Sequence, residues 1–172
     1  MIRKVKNLNR KLLTHTIEPV YNQNSRVLIL GTFPSPKSRE SNFYYGHPQN
    51  RFWPVIAYVC NRSVPQTKDD KIKLLLEQGI ALWDVLHSCS IAGADDSSIR
   101  NPTVNDLTLI FKVASIKAIF TTGRKAEILY KKYCLPQTGK EAFALPSTSP
   151  ANCRINIEEL RQAYCSILPY LR

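Results

Sequence analysis

Asn50 carries a hydrogen-bond donor and an acceptor on one flat amide. It closes the stretch YYGHPQN (44–50), which holds two tyrosines and His47 and follows directly on Phe43. Gly46 and Pro48 do not suit the interior of a helix or strand, so the stretch reads as a stiff loop presenting polar and aromatic groups together. Such a loop is able to meet a planar heterocycle edge-on through the amide while Phe43, Tyr44 or Tyr45 stacks on its face. Two other segments carry comparable chemistry. GTFPSP (31–36) is a turn stiffened by two prolines, able to aim backbone N–H groups at a ligand from Gly31, Thr32 and Phe33. PSTSPAN (146–152) sets the hydroxyls of Ser147, Thr148 and Ser149 between prolines, with Ala151 and Asn152 behind them, and suits a rigid loop pinching a phosphate. Asp84, His87, Asp95 and Asp96 add carboxylates and an imidazole that are able to position water or a polar edge.

Each of these features has a plainer counterpart. Asn is a favoured helix N-cap, and Asn50 precedes a helical pattern. The rings are equally able to roof a core, the Ser/Pro run to serve as an ordinary connector, and loop carboxylates to be solvated. Spacing alone does not choose between cap and site for Asn50; at a site, the orientation of the amide would select the base edge it meets. An amide locked by a neighbour matches an edge on which a carbonyl oxygen sits beside a ring N–H, as in a deaminated base. Adenine presents the reverse order, leaving polar groups unpaired.

The chain has 172 residues and a formal charge of +11, with 24 Lys and Arg against 13 Asp and Glu. That excess favours a polyanionic partner such as nucleic acid without fixing a fold. Lys37, Arg39, Arg124, Lys125 and Arg154 are the candidate phosphate contacts. Residues 1–13, with Arg3, Lys4, Lys6, Arg10 and Lys11 and no acid, read as a basic arm, either a frayed tail or a further phosphate contact. Five scattered cysteines with no C-x-x-C pair give no spacing for structural zinc or an iron–sulfur cluster, so no metal is expected. No apolar run approaches the ~20 residues that span a bilayer, and no secretory signal is present, so no membrane partner is expected. A cytoplasmic setting with reduced thiols, nucleoid-associated when the chain is on DNA, is the expectation.

The elements that must hold these groups follow from hydropathy. RVLILG (26–31), IALWDVL (80–86), IKAIFTT (116–122) and FALPS (143–147) read as buried strands. FWPVIAYVC (52–60), DDKIKLLLEQ (69–78) and RKAEILYKKY (124–133) read as helices. A last helix opens on Asn156 with Glu159 three residues on, a capping-box start, and carries a core stripe of Ile157, Leu160, Tyr164, Ile167, Leu168 and Leu171. HSCSIAGADDSS (87–98) reads as a loop after the second strand. Strands alternating with helices imply one domain over 1–172 with a mostly parallel sheet covered on both faces. Ligands in such sheets lie beyond the carboxyl ends of the strands, where all the unusual loops converge.

Taken together, GTFPSPKSRESNFYYGHPQNRFW, ALWDVLHSCSIAGADDSSI and LPSTSPAN resemble, in order, the three signatures of the hypoxanthine-DNA glycosylases, a branch of the uracil-DNA glycosylase superfamily. The resemblance runs over residues 17–171. It implies a three-layer α/β/α sandwich around a four-stranded mostly parallel sheet. It also implies a monofunctional enzyme that flips a deaminated base, hypoxanthine before uracil or xanthine, out of DNA and hydrolyses its N-glycosidic bond. No metal or organic cofactor is implied, and the substrate is duplex DNA, with single-stranded DNA as an alternative, bound by a monomer. The family's catalytic Asn maps onto Asn50. Gly31, Thr32, Phe33, Phe43, Tyr44, Tyr45 and His47 are the expected base contacts, and Asp84 and His87 are expected to position water or base. Other branches carry Asp or Asn where this chain has Phe33, and many carry His where it has Leu145, so efficient uracil excision is not implied. A module that binds nucleic acid by charge and stacking, without catalysis, is the reading from a different class.

Overall fold

The computed structural model describes residues 10–171. Four strands, Val27–Gly31 (β2), Ile80–Asp84 (β3), Ala118–Thr122 (β6) and Ala142–Leu145 (β7), form a wholly parallel sheet in the order β3-β2-β6-β7. Every residue of β2, β3 and β6 is buried, which requires cover on both faces and explains their unbroken apolar runs. The cover comes from the helices Pro36–Ser41 (α1), Phe52–Val59 (α2), Lys68–Glu77 (α3), Thr108–Phe111 (α4), Arg124–Leu129 (α5), Leu135–Thr138 (α6) and Ile157–Tyr164 (α7). The result is the expected α/β/α arrangement. The free edge of β3 is closed by Val20, which exchanges two 2.9 Å backbone hydrogen bonds with Leu82.

Local chemistry sets the helix ends. Asn156 and Glu159 form the expected capping box, and Thr67 with Asp70 forms a second. Pro54 stands in the first turn of α2, where no intrahelical N–H is lost. The basic helix after Gly123 runs further than its periodicity suggests, passing through a π-helical turn at Tyr130–Cys134 into α6. Along the last helix, Leu160, Tyr164 and Ile167 are buried as expected, but Leu168 is exposed. The chain tightens to a 3₁₀ helix over Cys165–Tyr170, and the change from 3.6 to about 3 residues per turn rotates Leu168 off the buried stripe.

The main departure from expectation lies between β3 and α4. Residues 87–98 are not a loop: Leu86–Ala92 (β4) and Asp95–Val104 (β5) form an antiparallel hairpin. It is joined by Lys11–Thr14 (β1) in a second sheet of order β1-β4-β5. Its strands alternate small polar residues with a few apolar ones, Leu86, Cys89, Ile91 and Ile99 facing inward, while Ser88 and Thr103 pair across the outer face at 2.5 Å. That Ser-rich composition disguises a half-buried strand as a connector. The same sheet absorbs part of the expected arm: Lys11 lies in β1, and the Arg10 guanidinium donates to the Ser98 carbonyl at 3.0 Å. The rest of the arm, residues 1–9, lies outside the described residues.

Candidate active site

Gly31, Asp84, Thr122 and Leu145 each end a strand of the parallel sheet. Beyond them opens a cavity of about 150 Å³, room for a small planar ring system. The expected residues Gly31, Thr32, Phe33, Tyr44, Tyr45, Asn50, Asp84, Ser147, Thr148 and Ser149 all line it. They are brought together by the β2–α1 turn, the loop before α2, the end of β3 and the loop after β7.

Asn50 serves its local backbone and the cavity at once. Its Oδ1 accepts 2.9 Å hydrogen bonds from the Phe52 backbone N–H and from the Thr148 hydroxyl. The Phe52 N–H can only donate, so it demands the amide oxygen and gives the amide one orientation, and the Thr148 hydroxyl then donates to the same oxygen. With Oδ1 engaged twice, the group left for a ligand is the Nδ2 donor pair. The expected donor-plus-acceptor pairing is thereby narrowed to donation.

The aromatic residues divide. Tyr45 lines the cavity at φ +52, a conformation that bulky residues rarely adopt. It is held there by stacking on Phe52 at 3.8 Å between centroids and by a 3.1 Å hydrogen bond between its hydroxyl and Thr122. Tyr44 also lines the cavity, its hydroxyl shared between the Ile17 and Glu18 carbonyls. Phe43 does not reach the cavity. Its ring is buried and stacked on Trp53, so it roofs the core instead of facing a ligand. Phe33 presents a ring to the cavity, with His15 packed edge-on behind it at 5.4 Å. His15 is fully occupied: Nε2 donates to the Leu86 carbonyl, Nδ1 accepts from the Ile17 N–H, and burial lowers its pKa to about 4.

Two further expectations are corrected. His47 lies outside the cavity lining, and its Nδ1 accepts from the Gln49 N–H at 3.1 Å, so it shapes the loop. His87 is exposed on β4, next to an irregular register, and lies outside the cavity lining. Asp84, by contrast, sits in the cavity with one carboxylate oxygen, Oδ2, lacking any hydrogen-bond partner. Burial, assisted by the charge of Asp96, raises its pKa to about 8. Asp96 reaches the same cavity from the hairpin, and burial raises its pKa too, opposed by the Thr32 hydroxyl and the Lys125 ammonium. The sequence marked Asp96 only as one of several acids after the second strand. Alternation along a hairpin was the signal that would have placed it.

None of the candidate phosphate contacts Lys37, Arg39, Arg124, Lys125 and Arg154 lines the cavity. Lys37 and Arg124 are exposed and paired with Glu40 and Glu127. Arg39 donates to the Pro34 carbonyl and lies 5.8 Å over Phe33. Ala151 and Arg154 are exposed on the 146–155 loop, and Asn152 donates its amide to the Ser147 carbonyl. Among the described residues no three His, Cys, Asp or Glu side chains gather as metal ligands, and no helix is long and apolar enough to cross a membrane.

Arg51 escaped the sequence reading. Its guanidinium donates to the carbonyls of Ile155 (2.5 Å), Ser149 (3.0 Å) and Asn152 (2.9 Å), and its backbone N–H to that of Thr148 (3.2 Å). One residue beside Asn50 thus ties down the loop that supplies the Thr148 hydroxyl. Arg51→Met should lower unfolding stability by about 2–4 kcal/mol, since each hydrogen bond from a charged donor contributes ~1.5–3 kcal/mol and the freed carbonyls stay partly buried. Urea denaturation followed by circular dichroism checks this, and a loss below half a kcal/mol would show the loop is held by other means.

A parallel α/β sandwich with a polar cavity at its strand ends defines a ligand-binding α/β class of protein. Residues 18–168 match the model of the uracil DNA glycosylase superfamily, and the chain belongs to that superfamily. Among curated proteins it is similar to the hypoxanthine DNA glycosylase of Methanosarcina acetivorans, 34% identical over 80% of this chain and 87% of the relative. It is also similar to that of Methanosarcina barkeri, 29% identical over 79% of this chain and 86% of the relative. Among solved structures it resembles the NMR structure of a candidate uracil DNA glycosylase from Methanosarcina acetivorans, with a TM-score of 0.76 and 29% identity, covering 92% of this chain and 99% of that one.

Proposed function

We propose that this DNA N-glycosylase removes hypoxanthine from deoxyinosine sites, hydrolysing the N-glycosidic bond to leave an abasic site and so opening base excision repair. The observation that favours a base with a carbonyl on this edge over adenine is the orientation of Asn50; the hypoxanthine DNA glycosylases to which the chain is similar support hypoxanthine among such bases. A pinned amide offering only N–H donors meets the O6 carbonyl of hypoxanthine favourably and sets donor against donor at the 6-amino group of adenine. Gly31, Thr32 and Phe33 form the floor and one wall around the base, and Tyr44 and Tyr45 form the other. Phosphate contacts from Lys37, Arg39, Arg124, Lys125 and Arg154 draw the protein to duplex DNA as a monomer. The loop of Ser147, Thr148, Ser149, Ala151 and Asn152 presses the backbone while the nucleotide leaves the stack, at a cost of a few kcal/mol. Among the described residues no lysine lines the cavity, which supports direct hydrolysis without an amine-linked intermediate.

The test is a panel of fluorescent duplexes carrying one deoxyinosine, deoxyxanthosine or deoxyuridine opposite each normal base, incubated with the protein and then cleaved with hot alkali. Deoxyinosine should be cut fastest. Equal or faster cutting at deoxyuridine would move the assignment to a uracil enzyme on the same fold. Binding without cutting would leave a non-catalytic module.

A further inference from the structure

Asp96 and Asp84 enter the cavity from different sheets, Asp96 from the β4–β5 hairpin and Asp84 from the last position of β3. Neither is engaged by a salt bridge at hydrogen-bond distance among the described residues. Asp84 is almost wholly buried, and its Oδ2, without a partner, belongs to a side chain that lines the cavity. Among the described residues the groups facing it are the Tyr44 and Tyr45 phenols and Asp96, with no cation among them. Asp96 has different company: the Thr32 hydroxyl and Lys125 favour its charge, Asp95 opposes it, and the Cys89 thiol lies within its field. Burial pushes both carboxyls up, but a hydroxyl and a cation favour the charge of Asp96 while the charge of Asp96 helps hold the proton on Asp84.

Two carboxyl groups around one cavity, one beside a hydroxyl and a cation and the other buried with an oxygen free to meet a ligand, are the equipment for acid–base cleavage of a glycosidic bond. Resting on the glycosylase reading above, we propose that Asp96 is the general base and Asp84 the general acid of base excision. Water attacks C1′ as the C1′–N9 bond breaks and its electron pair passes to the purine. Asp96 takes one proton from the water, and Asp84 gives its proton to a ring nitrogen of the departing base. The products are the free base and an abasic deoxyribose, and a proton passing from Asp96 to Asp84 restores the pair.

Single-turnover excision of deoxyinosine from duplex DNA, measured from about pH 5 to pH 10, tests the pair. The wild-type rate should rise with pH as Asp96 ionises and fall as pH passes about 8 and Asp84 loses its proton. Asp96→Asn should be about a hundredfold slower and lack the acid limb, and Asp84→Asn should be slower by about tenfold or more and lack the alkaline decline. Both should bind a duplex carrying a tetrahydrofuran abasic analogue within about threefold of wild type, the affinity control for an intact fold. Asp96→Asn at the wild-type rate, or both limbs persisting in both variants, overturns the pair and leaves the glycosylase reading standing. Loss of abasic affinity in step with rate also overturns it, in favour of a structural role. A wild-type protein that excises no deaminated base overturns the reading beneath it, and the pair falls with that reading.

Discussion

Asn50→Ala should slow single-turnover excision of deoxyinosine by about 10²–10³-fold, the usual loss when one preorganised donor is removed from a site where negative charge develops. The charge here is that of the departing purine, and the donor is the Nδ2 group that the Phe52 N–H and Thr148 hydroxyl leave facing a ligand. The substitution also deletes a turn-stabilising acceptor, so some loss of stability, about 0.5–2 kcal/mol, accompanies it. Asn50→Asp separates the two effects. Its carboxylate still accepts from Phe52 and Thr148 but puts an acceptor where Nδ2 stood, so it should unfold much as wild type does and yet cut as slowly as the alanine variant. The N-cap of α2 is Arg51 rather than Asn50, so an Asn50→Asp protein that cuts at the wild-type rate would confine Asn50 to holding the turn ahead of that helix. Affinity for abasic duplex, which lacks the base, should change little in either variant.

The parallel sheet was legible because β2, β3 and β6 are covered on both faces, and full cover leaves continuous apolar runs that no other element of that length requires. The convergence of the loops on one cavity followed from topology alone. The hairpin was hidden for the opposite reason. Only some of the residues in β4 and β5 face the interior, and the serines on the outer face give the segment the composition of a turn. Missing the hairpin concealed how Asp96 reaches the strand ends. Phe43 was misplaced because ring area in a polar loop serves a roof or a ligand equally well until Trp53 is seen to lie against it. Arg51 was invisible in a stronger sense. Its partners are backbone carbonyls about a hundred residues away, and carbonyls leave no mark in a sequence. Asn50 fell between these cases: its type and loop were readable, but the Thr148 hydroxyl, 98 residues away, was not readable as the second partner of its oxygen.

Gly31→Ala should abolish most activity, with a loss of about 10²-fold or more, and cost about 1–3 kcal/mol of stability as an overpacked buried site. Gly31 does not need glycine for its backbone conformation; it needs the space. A methyl there would lie 2.4 Å from Asp84 Oδ1, 3.3 Å from the Tyr45 hydroxyl oxygen and 3.6 Å from Asp84 Cγ. Asp84 has no long stem with which to withdraw, and its backbone is held opposite Gly31 by register and by the 2.8 Å bond from the Val85 N–H to the Gly31 carbonyl. Its carboxyl must therefore rotate or the strand ends must part, and either change rebuilds the cavity floor where the base edge would rest. The clash and the lost chemistry separate in a double-mutant cycle. Asp84→Ala should restore the stability of the Gly31→Ala protein by removing the opposing oxygen, while excision of deoxyinosine stays low, so the pair should be strongly non-additive in unfolding. Simple additivity in denaturation would show that the methyl finds room elsewhere, and a Gly31→Ala enzyme of normal rate would show that the base does not rest on this floor.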